Sequence, residues 1–355
     1  MVSIRHWEMR APKEPFVLDA RRVESLEPGA ALVRVAGCGV CHTDIGFLTG
    51  EVRTNHALPL VLGHEVSGVV EDAGAGAERW RGRAVVVPAV LPCGDCSPCR
   101  RGRYALCAGQ VFPGNDVHGG FASHVVVPAR FLCDAGDAAA DRLPLLSVVA
   151  DAVSTALEAI ARSGLERGDL AIFVGAGGVG GFGAQIAAAF GASVVAIEPS
   201  PERRRLSVEH GVSLALDPRA GDAASLRKAV REFARERGLP STEWKVFETS
   251  GTSAGQESAF ALLARGSHLG VVGYTREKVS IPLSHLMALD ARAVGNWGCA
   301  PERYPEALRL VESGAVAVEP YVERFPLSEI NEVFARMLEH RLERRAILVP
   351  DFAGA

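Results

Sequence analysis

The chain has 355 residues, 48% of them hydrophobic and 23% charged, with a formal net charge of −4. That length suits two cores better than one, and the composition is that of an ordinary globular protein. A small negative charge without a basic run argues against nucleic acid or an anionic lipid surface as a partner.

The first twenty residues carry charges throughout and lack the apolar centre of a secretory leader, so a cytoplasmic protein is expected. Over 1–151, ALVRVAGCGV, VSGVVEDAG, RAVVVPAVLP and ASHVVVPARF read as strands split by Gly and Pro, predicting a compact, mostly β domain. The apolar stretch 143–161 is broken by Pro144, Asp151 and Glu158 and is not expected to span a bilayer. Over 152–296, AIFV, SVVAIE, WKVFETS and HLGVVG alternate with helical patterns, which predicts an α/β, doubly wound parallel sheet. In 297–355, PERYPEALRLVESG and LSEINEVFARMLEHR read as helices and AILVP as a strand.

The strand over 170–174 runs into Gly175, Gly177, Gly178, Val179 and Gly180, followed by a helix, and Glu198 closes the next strand. This is the order a dinucleotide site needs. Gly175 permits the turn, Gly177 lets backbone amides approach a pyrophosphate, and Gly180 lets the helix pack on the sheet. An acid at Glu198 would bond both ribose hydroxyls and repel a 2′-phosphate, which favours NAD. Arg203, Arg204 and Arg205, one helical turn further on, keep NADP open, or else form a solvated face.

Eight cysteines in a cytoplasmic chain are read first as metal ligands. Cys93, Cys96, Cys99 and Cys107 follow the spacing C-x2-C-x2-C-x7-C. Four thiolates complete a tetrahedral zinc shell with no open position, so this site staples a loop and does no chemistry.

A second set is dispersed: Cys41 within GCGVCHTD, and Gly63-His64-Glu65 after LPLVL. With the four-cysteine loop and the glycine unit, the whole chain resembles the zinc-dependent medium-chain alcohol dehydrogenases. The resemblance implies a GroES-like catalytic domain with both zinc sites over 1–151, a Rossmann domain over 152–296, and a C-terminal segment over 297–355 returning to the first. It implies a catalytic zinc on Cys41 and His64, giving two zinc ions per chain, and NAD as hydride acceptor. The family's usual third ligand, a cysteine, is replaced by Asp151 in DAVSTA. A carboxylate is a competent ligand; the alternative is that Glu65 completes the shell. By the same resemblance Asp44 holds the His64 imidazole, Thr43 takes the substrate proton, His42 neighbours the pyrophosphate and Val272 the nicotinamide. Where many relatives have a relay histidine this chain has Gly46, which fits a roomier cleft.

Within the family, AGCGVCHTDIGF, VRTNHALPLVLGHE and NDVHGGFASHVVVPAR are similar to the 6-hydroxycyclohex-1-ene-1-carbonyl-CoA dehydrogenases. That implies oxidation of a ring alcohol carried as an alicyclic acyl-CoA in aromatic degradation, with water addition to the enone product as an added expectation. Arg53 and His56 are candidates to meet CoA phosphates. The alternatives are a dehydrogenase of simple secondary or allylic alcohols and a non-catalytic NAD-binding redox sensor. A homodimer or homotetramer is expected from the family.

Overall fold

The computed structural model describes residues 2–138 and 140–352 and divides into two compact units. The first comprises residues 1–154, 298–308 and 322–355; the second comprises 155–297 and 309–321. The stretch 309–321 thus belongs with the nucleotide-type unit instead of returning with the rest of the C-terminal segment. Gln185 holds it there, its side chain bonding the Ala317 backbone at both N–H and carbonyl.

In the first unit the long strand Ala30–Gly39 organises the sheet. It pairs antiparallel with Glu65–Ala73 along its length, with His124–Pro128 at its start and with Arg345–Val349 at its end. Its buried Ala31, Leu32, Val33 and Val35 face a core completed by Val66, Val70, Phe121 and Phe334. Strand register decides which residues meet at the end of this sheet. Gly39 lies opposite Glu65 on one side and Ile347 on the other. Residues just past Gly39, just before Glu65 and just before Ile347 are therefore gathered at one end of the sheet. A Cβ at position 39 would sit 2.0 Å from Glu65 Oε2, so a larger residue there would displace the Glu65 carboxylate.

The second unit is a six-stranded parallel sheet in the order Leu214–Leu216, Ser193–Ile197, Leu170–Val174, Lys245–Glu248, His268–Val271, Arg292–Gly295. The chain starts in the third strand of that order, works outward to the first, then crosses back to the fourth. The order reverses beside Leu170–Val174, and the carboxyl ends of the strands there form the crevice where such sheets take ligands.

One continuous helical stretch, Leu143–Ser163, has the length and apolarity of a membrane span, but 89% of its most apolar window is buried inside the protein. It is a core element, kinked where the 3-10 helix Leu143–Ala150 meets the α-helix Ala152–Ser163.

Candidate active site

Cys41 follows the strand end at Gly39 and begins the helix His42–Leu48, while His64 immediately precedes Glu65–Ala73. The shared sheet end brings the two side by side. Asp151 reaches them from the kink in Leu143–Ser163: its Oδ2 lies 3.6 Å from His64 Nε2 and 3.7 Å from Cys41 Sγ. One ligand atom from each of Cys41, His64, Glu65 and Asp151 falls within 4.8 Å of the others. These are donor separations that a single divalent ion can bridge.

The charges agree with the geometry. Burial opposes protonation of His64, yet the carboxylates of Asp44 and Asp151 outweigh it and raise its pKa well above the usual imidazole range. The pocket therefore favours positive charge at its centre. Asp44, fully buried, accepts from the Cys41 N–H at 2.9 Å and from the Gly63 N–H at 3.1 Å. One carboxylate thus ties the backbones that carry two of the metal-type side chains. His64 Nδ1 faces Asp44 Oδ1 at 3.5 Å, too far for a good hydrogen bond, and has no other partner among the described residues.

Glu65 is fully buried, and both its oxygens bond the guanidinium of Arg345, one of them at 2.8 Å to Nε. Burial pushes the Glu65 carboxyl up to about 7 against the pull of Arg345. Both Glu65 oxygens bond Arg345, whereas Asp151 Oδ2 faces both Cys41 and His64. Thr43 is half-buried with Oγ1 3.7 Å from Cys41 Sγ, and His42 is exposed on the same helix. Cys38, in the same sequence motif, points into the core and takes no part.

Gly46 is buried in the helix, and a Cβ there would lie 3.3 Å from Val52 Cγ2, a tight contact. Arg53 is exposed, while His56 lies against His118 with the rings tilted at 49° and bonds the Ala57 carbonyl at 2.5 Å.

The four-cysteine loop closes on itself around the short helix Ser97–Arg100. Sulfur separations are 3.4 Å for Cys96 and Cys99, 3.8 Å for Cys96 and Cys107, and 3.9 Å for Cys93 and Cys99. Four sulfurs about 2.3 Å from one zinc ion would lie about 3.8 Å apart, so the shell fits and leaves no ligand position open.

In the second unit Gly175 has φ +95°, and a Cβ there would strike Ser250 Cα at 2.7 Å. At Gly180 a Cβ would meet the Gly175 carbonyl at 1.9 Å. Gly177 is different: a Cβ would touch only the tip of Arg203, at 3.8 Å, so the bare backbone at this helix start faces open space. That cradle, with Gly178 and Val179 in the first turn, suits a pyrophosphate. Glu198 is buried and clamps the loop, accepting from Ala176 N–H at 2.8 Å and Ser200 N–H at 2.9 Å. Arg204 is drawn to Asp217 and Arg205 to Glu209, while the tip of Arg203 lies beside Gly177. Val272 is half-buried at the end of the fifth strand, its N–H donating to the Glu248 carbonyl at 2.9 Å.

Residues 27–137 match the alcohol dehydrogenase GroES-like domain, and 178–313 match the zinc-binding dehydrogenase domain. The chain is 30% identical to an alcohol dehydrogenase of Geobacillus stearothermophilus over 96% of this chain and 97% of that one. It belongs to the zinc-dependent alcohol dehydrogenase family. A 2-dehydro-3-deoxy-L-galactonate 5-dehydrogenase of Pseudoalteromonas atlantica is 29% identical over 88% of this chain and 90% of its own length. The crystal structure of the alcohol dehydrogenase of Aeropyrum pernix superposes with a TM-score of 0.87 at 28% identity, covering 98% of this chain and all of that one.

In this dehydrogenase one neighbour of the cluster carries no signal in the sequence. Arg345 lies 280 positions from Glu65 and belongs to no local pattern; only the strand register reveals it.

Proposed function

We propose that this dehydrogenase oxidises a small secondary or allylic alcohol to the carbonyl compound with NAD. The observation that carries the reading is the convergence of Cys41, His64 and Asp151 on one point, backed by the buried Asp44. Cys41, His64 and Asp151 would hold a zinc ion whose chemistry would be Lewis-acid polarisation of the alcohol oxygen, and the glycine loop would hold a nicotinamide cofactor as the hydride acceptor.

The chain's own groups do the rest. Asp44 fixes the backbones of Cys41 and Gly63 and faces the far side of the His64 ring. Arg345 holds both oxygens of the buried Glu65 beside the ligands. Thr43 offers a hydroxyl to take up the substrate proton, and with glycine at 46 the proton leaves through water or through a group other than a histidine there. A buried Glu198 supports NAD over NADP, because a 2′-phosphate would be brought towards a carboxylate; Arg203 beside the loop is the feature that opposes this. Four thiols in one metal loop suit a reducing, cytoplasmic location.

A second reading is supported by the three segments similar to 6-hydroxycyclohex-1-ene-1-carbonyl-CoA dehydrogenases. Under it the substrate is the CoA thioester of a ring alcohol, and the enone product is open to water addition. One panel separates the two: NADH formation from cyclic and acyclic secondary alcohols, each with and without CoA. Preference for the free alcohols supports the first reading; turnover of the thioester alone would replace it with the second. No NADH from any alcohol, with both metals bound, would favour a redox sensor.

A homodimer or homotetramer is part of the proposal. The second unit's sheet ends on Arg292–Gly295, and the helix beside it in sequence, Ser284–Ala288, leaves Met287 78% exposed, with Leu283 before it 68% exposed. A second copy would cover such an edge.

A further inference from the structure

Asp151 belongs to neither helix of its kinked stretch. It stands between Leu143–Ala150 and Ala152–Ser163 at φ −139° and ψ −66°, where no regular hydrogen-bond ladder sets its direction. Something else has to aim it. The Ala150 carbonyl shares a peptide plane with the Asp151 nitrogen, and that carbonyl is held by two donors. The Ala89 N–H reaches it at 3.1 Å and the Tyr304 hydroxyl at 2.9 Å. On the far side of the residue, the Ser154 hydroxyl donates to the Asp151 carbonyl at 3.2 Å. Both peptide planes of Asp151 are thereby tied.

Tyr304 begins the helix Tyr304–Glu312 and is 1% exposed, among the largest fully buried side chains of the molecule. A buried tyrosine needs a hydrogen-bond partner for its hydroxyl, and this one spends it on the peptide that carries Asp151. Burial first, then the nearby Cys299, raises its pKa well above the phenol range, so the hydroxyl is a neutral donor at any working pH.

We propose that Tyr304 is a positioning residue of the catalytic metal centre, acting through the Ala150 carbonyl to aim the Asp151 carboxylate at the point shared with Cys41 and His64. The inference rests on the reading of Asp151 as third ligand. Groups that orient ligands commonly govern metal affinity by about 10–100-fold. Tyr304→Phe removes one hydroxyl and keeps the ring, and the Ala150 carbonyl keeps its bond from Ala89, so the variant retains its core.

The experiment is chelator competition on the full-length, zinc-loaded protein, comparing wild type, Tyr304→Phe and Asp151→Asn. The expected result for Tyr304→Phe is about a tenfold loss of affinity for one of the two ions, with the other unmoved. Cobalt exchanged into the weaker site gives a second readout: its visible d–d bands shift in the variant when the carboxylate is misaimed. Unchanged affinity and unchanged bands in Tyr304→Phe, while Asp151→Asn loses the ion, would overturn the proposal even if the unfolding temperature fell. If Asp151→Asn keeps the ion at wild-type affinity, it is the ligand assignment that fails, and the inference falls with it.

Discussion

The two clusters of metal-type side chains use similar donors and are built in opposite ways. The four cysteines fall within fifteen residues, in one loop that brings their sulfurs together. Cys41 and Asp151 are 110 positions apart and are brought together by strand register, a helix kink and buried polar groups behind each ligand. The first cluster is closed and uniform. The second is mixed, lies in a field that favours a cation, and has two buried carboxylates, Asp44 and Glu65, at its back. A site that only staples needs ligands; a site that does chemistry also needs the fold to hold them at chosen angles.

The sharpest way to break this contrast is to remove one ligand from each cluster. Cys41→Ala is expected to lose one of two ions and on the order of a thousandfold in kcat/KM, since Lewis-acid polarisation supplies several kcal/mol at about 1.4 kcal/mol per decade. Thr43→Val keeps both ions and loses about a hundredfold in kcat, with Thr43→Ser restoring most of it. Asp44→Asn weakens the catalytic ion alone by about tenfold in a chelator titration. Cys107→Ser loses the other ion and exposes the loop to protease, while kcat of the folded protein stays within about twofold of wild type. Equal loss of turnover in Cys41→Ala and Cys107→Ser would erase the distinction between the clusters.

The smallest expected effect concerns the loop before His64. Val61 N–H donates to His118 Nδ1 at 3.2 Å, and burial, with Arg21, His56 and His6 nearby, pushes the His118 imidazole down to about 4. Its folded pKa lies below the unfolded value of about 6.5, so its contribution to stability is complete above that pH and is lost as pH falls towards 4. The unfolding temperature of wild type should drop more steeply between those limits than that of His118→Asn; parallel curves would remove His118 from the set of groups that tune stability.

The same contrast explains what the sequence displayed. Local chemistry was legible: the C-x2-C-x2-C-x7-C run, the glycine loop and the alternation of strands and helices each lie within a few dozen residues. The neighbourhoods of Cys41 and His64 were legible through family resemblance, and Asp151 as a substitution within it. What did not show was anything created by register. Arg345 meets Glu65 because Gly39 pairs with both Glu65 and Ile347, and no short pattern encodes that. Nor did the sequence show that Gly46 packs closely on Val52. Residues 309–321 carry no mark of the unit they join; Gln185 decides it.

Anomalous scattering at the zinc edge from crystals of the zinc-loaded enzyme bears most directly on the catalytic centre. Two peaks per chain are predicted, one among the four loop sulfurs and one about 2.0–2.3 Å from Cys41 Sγ, His64 Nε2 and a carboxylate oxygen of Asp151. A second peak bound by Glu65 with Asp151 turned away, or no second peak at all, would contradict that geometry.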